Sequence, residues 1–225
     1  MTKKENINRQ IVSRQRVTDH GEVYTSELEV KAMLDLVKQE TERIESRFLE
    51  PACGTGNFLI EILRRKLNIT TNRYKKNQLE FEKYALLAVS SIYGIDILEE
   101  NVNFCRQNLF NLLETEYKKL YKDKTNKEYL KSIKFIFNLN IIWGDALTLK
   151  TVGEDKKPIV FSEWSLVKNN MIKRRDFTYD NLLKTESLKI PGGLFEDFYD
   201  SDPAFLPTPI EEYPLIHFLK ISDVK

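Results

Sequence analysis

The segment that most constrains this chain is a corner. A short apolar run, Arg47-Phe48-Leu49, enters Glu50-Pro51-Ala52-Cys53-Gly54-Thr55-Gly56, and a stretch that is apolar on most sides, 57–67 (NFLIEILRRKL), leaves it. A buried strand that turns through two glycines straight into a helix is the opening unit of a strand–helix alternation. It also bares backbone N–H groups and the positive end of a helix toward whatever lies above the strand.

The alternation continues. Residues 26–39 predict a helix, with Ser26 and Glu29 as a capping box and Val30, Met33, Leu34 and Val37 as one apolar stripe. A further helix is expected over 78–90, and Ser91-Ile92-Tyr93-Gly94-Ile95-Asp96 reads as a strand ending in an acid. Val102, Cys105, Leu109 and Leu112 mark the next helix, and Leu139-Asn140-Ile141-Ile142-Trp143 a third strand closed by Gly144-Asp145. The expected fold class is therefore α/β: a Rossmann-like parallel sheet with helices on both faces, joined by right-handed crossovers.

Five of the eight glycines precede residue 150, whereas six of the seven prolines follow it. Proline removes a backbone donor, so the last third is expected to be an irregular C-terminal segment. We divide the chain into a polar extension (1–19), a core (20–165) and an irregular appendage (166–225). With 225 residues, 41% hydrophobic and 31% charged, the chain has the make-up of an ordinary globular domain. Its 35 basic and 34 acidic residues leave no bulk charge to announce a nucleic acid. Two cysteines, Cys53 and Cys105, make neither a disulfide framework nor a zinc cluster, and His20 and His217 have no partner cluster. The N-terminus is polar and no apolar run approaches a membrane span, so the expectation is a cytoplasmic protein without metal.

Ligands of open parallel sheets bind beyond the carboxyl ends of the strands. Here those ends carry the glycine corner, Asp96 and Asp145. An acid after the second strand is placed to accept from a ribose diol, and one after the third from the amine of an adenine ring. A dinucleotide would require a third glycine where Leu59 stands, and an acid about 20 residues on; Asp96 lies 40 residues beyond Gly56. S-adenosylmethionine has no pyrophosphate and tolerates the looser corner.

Four segments, in order, resemble the gamma-type adenine-N6 DNA methyltransferases, the modification subunits of restriction systems. They are His20-Gly21-Glu22-Val23-Tyr24-Thr25-Ser26 (with Ser26 where proline is usual), Leu49 through Leu59, Tyr93-Gly94-Ile95-Asp96-Ile97, and Trp143-Gly144-Asp145-Ala146-Leu147. The resemblance spans about 20–150. It implies that Glu50 holds the methionine amino group of S-adenosylmethionine, with Pro51, Ala52, Gly54, Thr55, Gly56, Asn57 and Phe58 forming the loop around it. It places Asp96 on the ribose, Ile97 against the adenine face, Asp145 with Ala146 and Leu147 at the exocyclic amine, and Tyr24 and Thr25 at the methionine end.

The family's catalytic turn is a polar residue, two prolines and an aromatic. It accepts the hydrogens of the target amine and stacks the flipped base. In this chain Pro158-Ile159-Val160-Phe161 is a plausible strand before it, but Ser162-Glu163-Trp164-Ser165 follows without prolines. Ser162 and Trp164 are the candidate catalytic pair; the alternative is Asp202, Pro203 and Phe205 in Asp202-Pro203-Ala204-Phe205. Too little chain follows for a DNA reader, which points to a partner subunit supplying target recognition and perhaps the base pocket. The expected function is a DNA methyltransferase domain within restriction–modification. A degenerate methyltransferase-fold subunit serving assembly or DNA binding is the alternative. Two basic stretches, Lys118-Lys119 with Lys122 and Lys124, and Lys173-Arg174-Arg175, read as solvated faces, the second with a phosphate-gripping alternative beside Trp164. The acids Glu196, Asp197, Asp200 and Asp202 lack a regular ligand spacing, and Tyr213–Leu219 reads as a late strand or docking segment.

Overall fold

The computed structural model describes residues 25–187 and 207–223. Tyr24, Asp202, Pro203, Phe205, the acidic residues at 196–202 and the polar extension 1–19 lie outside these residues.

Helix α1 (Glu27–Asp35) starts at the capping box: Glu29 N–H donates to Ser26 Oγ at 3.3 Å, and Ser26 N–H to the Glu29 carboxylate at 3.0 Å. It ends sooner than its periodicity suggests, and a single turn, α2 (Lys38–Thr41), follows. Val30 and Leu34 are buried, but Met33 and Val37, expected on the same stripe, are exposed. A helix this short meets the helix that leaves the glycine corner along one narrow face only.

The central sheet has β1 (Phe48–Glu50), β2 (Ile92–Asp96) and β3 (Ile141–Asp145) as parallel neighbours in that order. Glu50 stands beside Gly94, and Asp96 beside Trp143, so each strand runs two residues beyond its neighbour and the three ends form a staircase. A two-residue strand β4 (Lys150–Thr151) returns antiparallel to β3. Between β1 and β2 run α3 (Asn57–Tyr74) and α4 (Gln78–Ser90); between β2 and β3 run α5 (Glu99–Tyr121) and α6 (Lys127–Asn140). Asn77 and Asn126 cap α4 and α6 through their side-chain oxygens. The sequence pattern marks only the middle of α5 and does not show α6, whose last turn takes Leu139 and Asn140 from the expected third strand.

The main core gathers Leu59, Leu63 and Leu67 of α3, Val102, Cys105 and Leu109 of α5, Ile133 and Phe137 of α6, and Ile92 and Ile141 of the sheet. Lys66 sits inside it, fully buried, donating to the carbonyls of Ile44 (3.1 Å) and Ser46 and to Ser91 Oγ (2.5 Å). Three acceptors answer the amine, which is what keeps a lysine tolerable there. Burial nonetheless pulls its pKa down to about 7.

On the other face of the sheet, the described part of the segment expected to be irregular forms strands and a helix. Strands β5 (Val160–Val167) and β6 (Met171–Thr178) form an antiparallel hairpin. Its turn places Asn169 and Asn170 at φ of 61° and 60°, a left-handed conformation that asparagine tolerates. Helix α7 (Tyr179–Ser187) follows, and β7 (Glu211–Glu212) and β8 (Ile216–His217) pair with β6. Ile159, Phe161 and Tyr179 close a second apolar cluster against Tyr93 and Ile95 of β2. The boundary placed at residue 165 thus cuts through a strand. Residues 162–165 form no turn; they sit mid-strand, opposite Asp176, Arg175, Arg174 and Lys173.

Candidate functional site

At the carboxyl ends of β1, β2 and β3 lies a cleft of about 550 Å³. Thr25, Glu50, Pro51, Ala52, Gly54, Thr55, Asn57, Phe58, Asp96, Ile97, Asp145, Ala146 and Leu147 all line it. Three separate stretches of chain meet there because the parallel strands point their carboxyl ends the same way, each two residues beyond the last. Cys53, Leu98, Asn101 and Gly144 line it as well. Cys53 and Gly144 lie within the resembling segments without a role assigned to them, whereas Leu98 and Asn101 lie outside those segments.

Gly56 shapes the corner. It caps α3 in a left-handed conformation (φ 97°), and a Cβ there would lie 2.8 Å from Cys105 Sγ. Glycine is needed on both counts. Gly94 is similarly hemmed in, its missing Cβ within 3.1 Å of Leu59 and Cys53. The Cys53 thiol donates to Gly54 O at 3.7 Å beneath the loop, and the neighbouring Cys105 thiol, with burial, pushes it well up. Both cysteines are core groups.

Asp96 braces the cleft from below. Its Oδ2 accepts from Gly54 N–H at 2.8 Å, and its Oδ1 from Leu98 N–H at 2.9 Å and Asn101 Nδ2 at 3.2 Å. A carboxylate offers about four lone-pair directions, so these donors leave roughly one on Oδ2. Asp145 is used alike: Leu147 N–H (2.9 Å) and the Thr148 hydroxyl (2.9 Å) donate to it, and the Leu147 bond chiefly holds its carboxyl below the ordinary range. Glu50 differs. Among the described residues only Ala52 N–H reaches it, at 3.4 Å, and desolvation raises its carboxyl above the ordinary value. A half-buried carboxylate with so little hydrogen bonding is electrostatically incomplete, and a cation would complete it.

Side-chain amides hold the walls. Asn57 Nδ2 donates to Thr25 O (3.3 Å), Asn108 Nδ2 to Thr55 O (3.1 Å), and the Trp143 indole to Ile97 O (3.0 Å). Ile97 and Leu147 stand exposed at the rim.

The structure does not bring Ser162 and Trp164 to this cleft. Ser162 is buried, its hydroxyl donating to Asp176 Oδ1 at 2.7 Å and accepting from Arg174 Nε at 3.1 Å. Trp164 is buried against Phe135, with its indole N–H toward Asn140 Oδ1 at 3.5 Å. Alternation along β5 turns both into the packed side of the hairpin. Among the described residues, no group of three or more His, Cys, Asp or Glu is placed to hold a metal ion, and no helix is long and apolar enough to cross a membrane.

The family model of the MmeI DNA-methyltransferase domain matches residues 25–153. This segment runs from the cleft's first lining residue to just past β4, and it takes in all three cleft-forming strands. No curated protein and no solved structure matches the chain. With more than half of its length covered by that match, the chain belongs to the MmeI DNA-methyltransferase domain family of restriction–modification methyltransferases.

Proposed function

We propose that the cleft binds S-adenosylmethionine and that the chain serves methyl transfer to the N6 amine of adenine in DNA. The observation that carries this reading is Glu50: a desolvated carboxylate answered by a single long hydrogen bond, in the same cleft as two further acids. It suits the methionine ammonium, Asp96 the ribose hydroxyls through its remaining acceptor direction, and Asp145 the adenine amine. Gly54 and Gly56 leave room for the backbone to approach, and Thr25 closes the methionine end. When bound, this cofactor supplies an electrophilic methyl on a sulfonium.

The described residues do not include the turn that would accept the hydrogens of the target amine. Asp202, Pro203 and Phe205 remain the proposal for that role within the chain, with a partner subunit as the other source. One observation favours the second: among the described residues β1 pairs on one side only, with β2. The order β1-β2-β3 leaves the cleft at an open edge, whereas doubly wound sheets bind ligands where the strand order reverses.

Calorimetric titration with S-adenosylmethionine tests the cofactor. Binding by the wild type and at least a tenfold loss in Glu50→Gln are expected; a folded wild type that binds nothing refutes the reading. Transfer of tritiated methyl groups to duplex DNA, followed by nucleoside analysis, tests the product. N6-methyl-2′-deoxyadenosine is expected from the chain alone or with its partner subunit, and a methylated deoxycytidine refutes the adenine assignment.

A further inference from the structure

The fold gathers a basic corner at the pole opposite the cleft. Helices α3 and α5 both begin at the cleft and run away from it. Over 18 residues α3 travels about 27 Å. The loops they enter are tied together there: the Tyr121 hydroxyl donates to Lys75 O at 3.1 Å, and Gln78 Nε2 to Lys124 O at 2.8 Å. This joins Lys75 and Lys76 to Lys122, Lys124 and Lys127, which lie about 50 residues away in sequence. All five are exposed, and none makes an ion pair among the described residues. Residues 73–77 and 118–127 together hold eight basic side chains and one acid.

Stability does not account for this concentration. Lys127 is the first residue of α6, where the helix's partial positive charge repels it. Nor does the whole chain's charge of +1 require it. The other basic stretch behaves differently: Lys173 pairs with Glu212, Arg174 with Asp176 and Arg175 with Glu163. That stretch is neutralised within the hairpin.

We propose that the corner of Lys75, Lys76, Lys122, Lys124 and Lys127 is a docking surface for the phosphate backbone of duplex DNA, held apart from the segment at the cleft. Ammonium groups act as point charges and grip phosphates without reading sequence. The aromatic rings nearby are engaged elsewhere, Tyr74 stacked on Tyr84 and Tyr121 tilted against Phe81 and Tyr117. The surface therefore holds DNA and does not select a site. The corner lies at the far end of α3, about 27 Å of helix from the cleft. The choice of DNA over an acidic protein rests on the chain being a DNA methyltransferase, and not on the cofactor assignment.

The test is fluorescence anisotropy of a labelled duplex of mixed sequence, without cofactor, between about 50 and 200 mM salt. It compares the wild type with a variant carrying Lys75→Gln, Lys76→Gln, Lys122→Gln, Lys124→Gln and Lys127→Gln. A charge-matched control carries Lys38→Gln, Lys156→Gln, Lys157→Gln, Lys168→Gln and Lys220→Gln. The corner variant is expected to lose at least tenfold in affinity and to flatten the dependence of log affinity on log salt by about 0.9 for each phosphate that is no longer neutralised. The control keeps the wild-type slope. Equal slopes for corner variant and wild type overturn the proposal, as does an equal loss in the control. Corner-dependent binding of polyglutamate by a wild type that does not bind the duplex overturns it in favour of an acidic protein partner. Cofactor titration of the corner variant stays at the wild-type value, so failure of the S-adenosylmethionine reading shows separately.

Discussion

Replacing Gly56 with alanine probes the corner on which the cleft is built. Two separable costs are expected. The first is conformational: a non-glycine residue at φ 97° loses about 1–2 kcal/mol. The second is steric, because the new Cβ falls 2.8 Å from Cys105 Sγ in a filled core, and overpacking of this kind costs about 1–3 kcal/mol. The sum, roughly 2–5 kcal/mol, is a large part of the stability of a domain this size. Cys105→Ala removes the sulfur and by itself costs about 1 kcal/mol of buried apolar packing. In the double variant the steric part disappears while the conformational part stays. The double variant should then be less destabilised than the sum of the single ones by about 1–3 kcal/mol. Urea unfolding followed by the fluorescence of Trp143 and Trp164 measures all four proteins, and the midpoints are comparable if the slope is unchanged. Additivity within about 0.5 kcal/mol would refute the argument, since it would mean that the Sγ atom is not what excludes a side chain there.

Glu50→Gln should leave the fold as stable or more stable, by up to about 1 kcal/mol, because it removes a desolvated charge with one weak hydrogen bond; a marked loss on thermal unfolding would show that the carboxylate has a structural partner. Lys66 is charged in the unfolded chain up to about pH 10.5 but loses its proton near pH 7 when folded. Its burial penalty is thus full below pH 7 and relieved as pH rises between the two values. The stability of the wild type relative to Lys66→Met should increase by about 2 kcal/mol from pH 7 to pH 9, and a flat difference in urea titrations at the two values counts against a neutral buried amine. Trp164→Ala should cost about 3–5 kcal/mol of stability while leaving S-adenosylmethionine affinity in the folded fraction unchanged; calorimetry showing a specific loss of binding would return Trp164 to the site.

Much of the cofactor half was legible because short-range rules dictate it. A strand entering a two-glycine corner has few alternatives to a strand–turn–helix unit, and acids at the ends of the next two strands fall at the same end of the sheet once the strands pair in parallel. Helix α6 escaped notice because its buried side chains, Tyr129, Ser132, Ile133, Ile136, Phe137 and Asn140, mix polar with apolar groups and blur the stripe. The hairpin was misread for a different reason. Proline content described the loops around it, while Ser162 and Asp176, polar in sequence, satisfy each other inside it.

The sequence by itself determined the parallel α/β core, the glycine corner and the identity of the three acids at the strand ends, since each depends on neighbours within a few residues. Tertiary structure alone decided how those acids are engaged, with Asp96 and Asp145 turned to their own loops and Glu50 left nearly bare. It alone took Ser162 and Trp164 into the core. It alone neutralised the arginines of β6 while drawing five lysines, unpaired among the described residues, from two distant loops into one corner. The physical reason is the same in each case: hydrogen bonding, burial and ion pairing are settled between partners far apart along the chain, and local periodicity carries no information about them.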